Sequence, residues 1–419
     1  MRKIEIAFIT FVAFLFFSFF AYIGYEYNLP YVGSALRYVA GPFFAERITP
    51  EQILASYKTE NNKIKILIVP GHNNDSFGAQ FKGTKEAEMN AELGQELFEF
   101  FQKDDKFETY ATRLKNGDYS QWFHDYFESN KEEVAKFRED SRRQMRQAIE
   151  QGMPANGNQV YHNSAQDDDS LKLYAVNKWA NENNVEVVFH IHFNDYPGRK
   201  WNQPGEYSGF SIYVPEYQLP NHRASSELAK PLKNQLEKYF AKSDLPAESS
   251  ALIEDQELIA VGSNASRDGV SVLAEYGYIY ESQFANRETR EVMLKELAYQ
   301  TYVGIKNFFG GNDLTAGNYE TTLLPHTWNN PLKKGAMSES KDILYLQMAL
   351  HKEGLYPPEN KTFNNCPISG IFGNCTFEAV KKFQEKYADE ILAENGKTEK
   401  ASGFAGPKTL AKLNEIYGE

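Results

Sequence analysis

The chain has 419 residues, of which 42% are hydrophobic and 24% are charged. This length and composition are those of an ordinary globular protein with two or three domains. The formal net charge of −12 argues against a nucleic-acid binder, because such proteins normally cluster lysine and arginine on one face. We therefore expect no nucleic-acid partner.

An uncharged apolar run occupies residues 6–25, and the basic residues Arg2 and Lys3 precede it, separated from it by Ile4 and Glu5. A run of this length can cross a bilayer as a helix. The basic residues before it favour a cytoplasmic N-terminus. We therefore predict a transmembrane anchor over residues 1–26, with the rest of the chain outside the cytoplasm. A cleaved signal peptide is the alternative, although its apolar core would usually be shorter.

Strands and helices alternate in the next part of the chain. Residues 27–62 predict a juxtamembrane spacer with a short helix at 50–56. The apolar run at 64–69 predicts a buried strand, and residues 84–101 predict an amphipathic helix. Further strands are expected at 108–113, 185–193, 208–214 and 271–276, and further helices at 131–151, 170–181, 224–241 and 287–309. This order predicts an α/β domain over residues 63–310, with a mixed sheet flanked by helices.

A second domain is expected at 332–419, after a linker at 311–331 that is rich in Gly, Asn and Thr. It contains an internal repeat, because SGIFGNCT at 369–376 and SGFAGPKT at 402–409 each precede a helix with apolar periodicity. Each segment has glycines for a turn and a threonine, Thr376 or Thr409, suited to capping the helix start. The repeat predicts a small helical module.

Two cysteines, Cys366 and Cys375, lie close together in this module. The predicted topology places them outside the cytoplasm, where disulfides persist. A loop this short would contribute about 2.5 kcal/mol to stability in the chain-entropy estimate. Pairing is expected, and two unpaired thiols are the alternative.

His72 and Glu86 are candidate metal ligands. His72 follows the first predicted strand and a Pro-Gly turn, where α/β sheets commonly present functional groups. Glu86 lies on the apolar face of its helix, so its carboxylate points inward, and a metal ion would offset the cost of burying it. Glu88 lies on the opposite, solvated face. The apolar positions that share the face of Glu86 are Met89, Leu93, Leu97 and Phe100.

His190 and His192 lie two residues apart on a predicted strand, so both project to the same face. Strand geometry alone leaves open whether one or both of them bind a metal ion. Imidazole and carboxylate groups are ligands that zinc prefers, and catalytic zinc keeps three protein ligands and a water. A set of two histidines and one glutamate is therefore chemically sensible for zinc.

Four segments together resemble the zinc-dependent N-acetylmuramoyl-L-alanine amidases. They are VPGHNN at 69–74, GTKEAEMNAELGQEL at 83–97, FHIHFND at 189–195 and VLAEYGY at 272–278. The resemblance spans residues 63–310, and four motifs in the family's order are fairly specific. It implies a zinc-dependent hydrolase that cuts the bond between N-acetylmuramic acid and L-alanine of peptidoglycan, on the cell-wall side of the membrane.

The resemblance also implies roles for individual residues. Zinc would be held by His72, Glu86 and His192, with Asn194 following the second histidine. Glu275 would be the catalytic base, which takes a proton from zinc-activated water and passes it to the leaving amine. His190 departs from the pattern, because the family usually has serine there.

A second departure follows the late strand, where residues 278–281 read YIYE and the family commonly has FLSN. Such positions line the strand ends, so both departures concern the substrate groove. Arg113 is expected to be a structural or surface arginine. The same reading applies to the histidines without a companion at ligand spacing, which are His124, His162, His222, His326 and His351.

Residues 332–418 resemble the three-helix peptidoglycan-binding domain, through LYLQ at 344–347, the glycine turn at 369–376 and AVKKFQ at 379–384. Its apolar positions Leu346, Leu350, Val380 and Phe383 are expected in the core. The resemblance implies peptidoglycan as a partner, which the module would concentrate near the enzyme. The competing hypotheses are a non-catalytic peptidoglycan-binding or activator protein and a zinc peptidase that acts on the stem peptide.

Overall fold

The computed structural model describes residues 46–153, 167–196, 198–262, 265–310, 319–335, 340–394 and 397–419. The predicted anchor over residues 1–26 lies outside the described residues. Within the described ranges, no helix is long and apolar enough to cross a membrane.

The part of the chain up to residue 310 alternates strands and helices. Its elements in chain order are α1 (Pro50–Lys58), β1 (Ile64–Pro70), β2 (Gln80–Phe81), β3 (Thr84–Lys85), α2 (Glu86–Gln102), β4 (Phe107–Ala111), α3 (Gln121–Ser129), α4 (Lys131–Glu150), α5 (Asp167–Glu182), β5 (Val187–Asn194), β6 (Ser211–Pro215), α6 (His222–Leu236), β7 (Leu252–Asp255), β8 (Val270–Tyr278), α7 (Ser282–Ala285) and α8 (Arg287–Phe308).

Six of these strands form one mixed sheet in the order β4-β1-β5-β8-β6-β7. The first four strands of this order are mutually parallel, whereas β6 runs antiparallel to β8 and parallel to β7. The predicted α/β class with a mixed sheet is confirmed. Because β1, β5 and β8 are adjacent and parallel, their carboxyl ends meet at one edge of the sheet, where α/β folds place their sites.

Helices cover both faces of the sheet, and side chains alternate between these faces along each strand. Ile64, Ile66 and Ile68 of β1 are buried in the core that contains residues of α2, α6 and α8. Leu67 and Val69 point to the other side, into a cluster with residues of α3, α4 and α5. Each fully buried aliphatic side chain contributes about 1.5–3 kcal/mol. The apolar run of β1 therefore reflects burial on both faces.

Some predicted boundaries and elements were wrong. The helix expected at 224–241 ends at Leu236. Ala241 lies at the sheet edge instead, where its carbonyl accepts a hydrogen bond from Phe210 N. Helix α3 and strand β7 were not predicted. The sequence of β7 is LIED, which has too few apolar residues for a strand pattern, and it is an edge strand.

The C-terminal module contains α9 (Lys341–Lys352), α10 (Asn374–Lys386), α11 (Ala388–Ile391), a short hairpin of β9 (Ala393–Glu394) and β10 (Lys397–Thr398), and α12 (Pro407–Tyr417). The predicted core positions are buried, namely Leu346, Leu350, Val380 and Phe383. Cys366 and Cys375 form a disulfide.

The internal repeat has a structural counterpart in two buried glutamines. Gln347 accepts hydrogen bonds from the backbone of Ser369 and Gly370, and Gln384 accepts one from Gly403. The expected threonine caps were wrong, because glycines precede both helices at the N-cap. The hydroxyls of Thr376 and Thr409 instead accept hydrogen bonds from the same two glutamine side chains.

Residues 319–335 join the module to the α/β part through buried contacts. Trp328 is buried and donates from its indole nitrogen to the carbonyl of Asp342, at 2.9 Å. Glu296 of α8 accepts hydrogen bonds from the backbone and hydroxyl of Thr322. The described end of the segment expected as a linker therefore packs against both parts of the chain.

Candidate metal centre

His72 lies at the carboxyl end of β1, in a backbone conformation that presents its imidazole to the sheet edge. Its φ angle is 61°, a left-handed value that costs a non-glycine residue about 1–2 kcal/mol. The preceding residue, Gly71, donates its N–H to the carbonyl of Ile191 on β5, at 2.8 Å. The turn after β1 is thus tied to the neighbouring strand, which fixes the position of His72.

Glu86 is the first residue of α2, and it lies between two histidines. Its Oε2 is 3.2 Å from Nε2 of His72, and its Oε1 is 3.1 Å from Nδ1 of His192. One donor atom from each of the three residues lies within 4.8 Å of the others. Glu86 is only 4% exposed, whereas both histidines keep some access to solvent. The arrangement can hold a metal ion that is reached from outside.

The carboxylate of Glu86 is held in its charged form. Burial raises its pKa, but the charges and hydrogen bonds of His72 and His192 outweigh burial, so the pKa lies well below its usual range. The backbone N–H groups of Ala79 and Phe193 also donate to this carboxylate, at 2.9 and 3.2 Å. Burial lowers the pKa of His72, and the charge of Glu86 more than offsets this, so that pKa is raised.

Two glycines leave room for these side chains. A Cβ atom on Gly71 would lie 2.1 Å from Cε1 of His192. A Cβ atom on Gly78 would lie 2.4 Å from Oε2 of Glu86 and 2.6 Å from Cδ2 of His72. Both distances are far below van der Waals contact, so the cluster depends on glycine at these two positions.

Asn90 and Arg113 both donate hydrogen bonds to the carbonyl of Gly71, the residue before His72. Asn90 donates to this carbonyl at 3.0 Å and to Oε1 of Glu86 at 3.4 Å. Arg113 donates to the same carbonyl at 2.8 Å and also to the carbonyl of Gly117. Arg113 is 2% exposed, so it is the structural arginine that the sequence suggested. The role of Asn90 was missed, although it lies one helical turn after Glu86 on the same face.

Glu275 lies next to His192 because β5 and β8 are paired in that register. It is 4% exposed and lines the same cavity as the three clustered residues. Asn194 does not join them. The pairing of β5 with β8 shifts its register between His192 and Asn194. The side chain of Asn194 donates to the buried carboxylate of Glu248 at 3.0 Å, so its contact is structural.

The cavity at this edge of the sheet has a volume of about 490 Å³. Asp169 of α5 also lines it and accepts a hydrogen bond from Asn73 at 3.2 Å. Sequence reasoning missed both residues, because their contact joins positions far apart in the chain. His190 lines the cavity too, although it is not part of the metal cluster.

Of the remaining histidines, the four that the structure describes lie away from the cluster. His222 contacts Glu254, His326 contacts Asp342, and His351 contacts the carbonyl of Tyr356. His124 is exposed, and His162 lies outside the described residues. Over the part of the chain that the structure describes, the only candidate metal cluster is His72, Glu86 and His192.

Comparison with known proteins gives a family match over part of this domain. Residues 137–307 match a family model described as N-acetylmuramoyl-L-alanine amidase. The matched region contains His192 and Glu275, whereas His72 and Glu86 precede it. A search of curated proteins gives no match.

Several solved amidase structures are similar to the chain. The N-acetylmuramoyl-L-alanine amidase from Clostridium difficile 630 is 14% identical, covering 60% of this chain and 98% of that one, with a TM-score of 0.37. The CwlD amidase from Clostridioides difficile, solved in complex with the GerS lipoprotein, is 16% identical, with coverages of 59% and 99% and a TM-score of 0.38. Ami1 from Mycobacterium smegmatis is 14% identical, with coverages of 60% and 99% and a TM-score of 0.39.

The family match covers strands β5 to β8 and the helices between and after them, which carry half of the site described above. Over residues 137–307, the chain therefore matches the family of N-acetylmuramoyl-L-alanine amidases, which are hydrolytic enzymes.

Proposed function

We propose that this amidase is a zinc enzyme that hydrolyses the amide bond between the lactyl group of N-acetylmuramic acid and L-alanine in peptidoglycan. The observation that carries the proposal is the meeting of His72, Glu86 and His192 beside Glu275 in one cavity. Two imidazole nitrogens and one carboxylate oxygen suit zinc, and three protein ligands leave a position for water or substrate.

In the proposed mechanism, His72, Glu86 and His192 hold the metal ion. Bound zinc would lower the pKa of a water molecule and polarise the scissile carbonyl. The carboxylate of Glu275 takes a proton from the attacking water and gives it to the nitrogen of the leaving L-alanine. The partly exposed histidines and the buried Glu86 leave the open side of the cluster facing the cavity, where the amide bond would enter.

We also propose an extracytoplasmic location, with residues 1–26 as a membrane anchor. The disulfide between Cys366 and Cys375 supports this placement, because disulfides persist in oxidising compartments. In the same proposal, the C-terminal module binds peptidoglycan and raises its local concentration at the enzyme.

A charge-neutral substitution of Glu275 tests the function. For Glu275→Gln we expect full metal binding and a fall of about 10²–10⁴-fold in the release of peptide from peptidoglycan, the range for removal of a general base. Glu257→Gln is the matched control, because Glu257 lines the same cavity but is exposed and is not paired with His192. Equal activity of the Glu275→Gln variant and the parent would refute the assigned role.

Mass spectrometry of the digest separates this function from its competitors. An amidase releases stem peptides that begin with free L-alanine and leaves unsubstituted N-acetylmuramic acid in the glycan. A zinc peptidase would release fragments cut within the peptide. A non-catalytic wall-binding protein would release nothing.

A further inference from the structure

Helix α5 forms one wall of the cavity. The residues of this helix that line the cavity are Asp169, Lys172, Leu173 and Val176. Their spacing places them on one face of the helix. Among the described residues that line the cavity, Lys172 is the only lysine or arginine. A ligand in the cavity therefore meets one ammonium group.

Lys172 lies close to the metal end of the cavity. Its Nζ is 5.4 Å from the centroid of the Tyr119 ring. The hydroxyl of Tyr119 accepts a hydrogen bond from the side chain of Asn73 at 3.4 Å, and Asn73 directly follows His72 in the chain. The same side chain donates to Asp169, which lies three residues before Lys172 on α5, a rise of about 4.5 Å. Both routes lead from Lys172 to the residue beside a metal ligand.

The ammonium of Lys172 can bind a further partner. Among the described residues it donates one hydrogen bond, to Asp168, and an ammonium has three donors. Burial lowers the pKa of Lys172, but the hydrogen bond and the charge of Asp168 contribute to outweighing burial, so the pKa is raised. The side chain of Lys172 is 21% exposed and that of Asp168 is 62% exposed. An anion in the cavity can therefore join Asp168 at Lys172 or displace it into solvent.

The rest of the lining restricts where such an anion can lie. Five carboxylates line the cavity, those of Glu86, Asp169, Asp195, Glu257 and Glu275. They repel an anionic group of a ligand, whereas Lys172 attracts it. Specificity commonly combines attraction at one position with repulsion at others. The distribution of charge therefore favours one position for an anionic group, at Lys172.

The stem peptide of peptidoglycan carries an anionic group close to the scissile bond. Its second residue, D-glutamate, is joined to the third through its γ-carboxyl group, so its α-carboxylate is free. This carboxylate is one residue away from the bond that the proposed amidase cuts. Its amidation gives D-isoglutamine, which lacks the charge but has nearly the same shape.

We propose that Lys172 binds the α-carboxylate of the second stem-peptide residue and thereby selects D-glutamate over D-isoglutamine at that position. This inference rests on the proposed amidase function. It gives Lys172 a role in substrate specificity, separate from the metal cluster of His72, Glu86 and His192.

Two soluble muramoyl tetrapeptides, which differ only in D-glutamate or D-isoglutamine as the second residue, test the proposal with zinc-loaded protein. In the parent we expect a KM about 10-fold lower for the D-glutamate peptide, the lower part of the range for a hydrogen bond between charged groups. In Lys172→Met we expect the KM of the D-glutamate peptide to rise to that of the D-isoglutamine peptide. The kcat should change little, because the bond is made equally in the ground and transition states.

Lys178→Met is the matched control. Lys178 lies on the same helix, pairs with a carboxylate four residues away, that of Glu182, and is 13% exposed. Its Nζ also lies over a tyrosine ring, 5.9 Å from the centroid of Tyr126. It does not belong to the described lining of the cavity. We therefore expect Lys178→Met to keep the parent's preference for the D-glutamate peptide.

Equal KM values of the parent for the two peptides would overturn the proposal. An equal rise of both KM values in Lys172→Met would also overturn it and make the ion pair with Asp168 structural, as would loss of the preference in Lys178→Met. Thermal unfolding and zinc content show that fold and metal site are intact, and Lys172→Gln replaces Lys172→Met in the same comparison if the latter does not fold.

A separate measurement distinguishes failure of this inference from failure of the proposed function. If the parent cleaves neither peptide, the proposed function fails. Calorimetric binding of the same two peptides then tests Lys172 alone. Tighter binding of the D-glutamate peptide that is lost in Lys172→Met would support the proposal, and equal affinity for the two peptides, or no binding of either, would overturn it.

Discussion

Gly78→Ala is a substitution whose effect on the metal site can be worked out from the structure. The added Cβ would lie 2.4 Å from Oε2 of Glu86 and 2.6 Å from Cδ2 of His72. Either contact requires one of these side chains to move. Moving Glu86 breaks the geometry it shares with the two histidines and weakens its hydrogen bond from Ala79 N, which is 2.9 Å long. The damage is therefore expected in metal binding.

Gly83→Ala provides a matched control from the same segment. Gly78 and Gly83 both have left-handed φ angles, of 69° and 86°, so alanine at either position is expected to cost about 1–2 kcal/mol of backbone strain. A Cβ on Gly83, however, meets nothing within 4 Å. The difference between the two variants therefore isolates the collision with Glu86 and His72.

The assay is zinc affinity, measured by competition with a chelator, together with the free energy of unfolding of each metal-free variant. We expect similar losses of stability in the two variants and a 10–100-fold weaker zinc affinity in Gly78→Ala alone, the range found when groups supporting metal ligands are disturbed. Equal zinc affinity of Gly78→Ala and Gly83→Ala would refute the reasoning.

Three further predictions address the surroundings of the site and the module. Asn90→Leu should lower the free energy of unfolding by about 0.5–1.5 kcal/mol, because the carbonyl of Gly71 loses one buried donor and keeps that of Arg113; chemical denaturation measures this. Reduction of the Cys366–Cys375 disulfide should cost about 2.5 kcal/mol and leave zinc content unchanged. In the folded protein the pKa of His190 is about 3, below the ordinary histidine value of 6.5. The neutral, buried imidazole therefore contributes stability that is present above pH 6.5 and is lost as the pH falls towards 3. Between pH 4 and 6, the free energy of unfolding should therefore rise with pH less steeply in His190→Leu than in the parent, by about 1.4 kcal/mol per pH unit. Chemical denaturation at several pH values measures this.

Local patterns predicted the parts of the site that lie within one element. The helical face of Glu86 follows from its spacing to Met89, Leu93 and Leu97, and the structure buries these residues while Glu88 is exposed. The strand before His72 follows from its apolar residues, which are continuous from Ile66 to Pro70. In both cases the information lies within about one helix or strand length, where periodicity determines which side chains point inward.

Contacts between distant segments could not be predicted in this way. His190 and His192 share a strand face, and only the position of the strand end and the register with β8 place His192 beside Glu275. The space that Gly78 leaves for Glu86 depends on the path of the chain between β1 and α2. The contact of Asp169 with Asn73 joins α5 to the turn after β1.

Anomalous diffraction at the zinc edge, on crystals of the zinc-loaded protein, shows directly whether His72, Glu86 and His192 hold zinc. We expect one strong peak at about 2.0–2.2 Å from a nitrogen of His72, a nitrogen of His192 and a carboxylate oxygen of Glu86, which are ordinary zinc–ligand distances. A peak bonded to His190, a peak at another place in the protein, or no peak at saturating zinc would contradict this expectation.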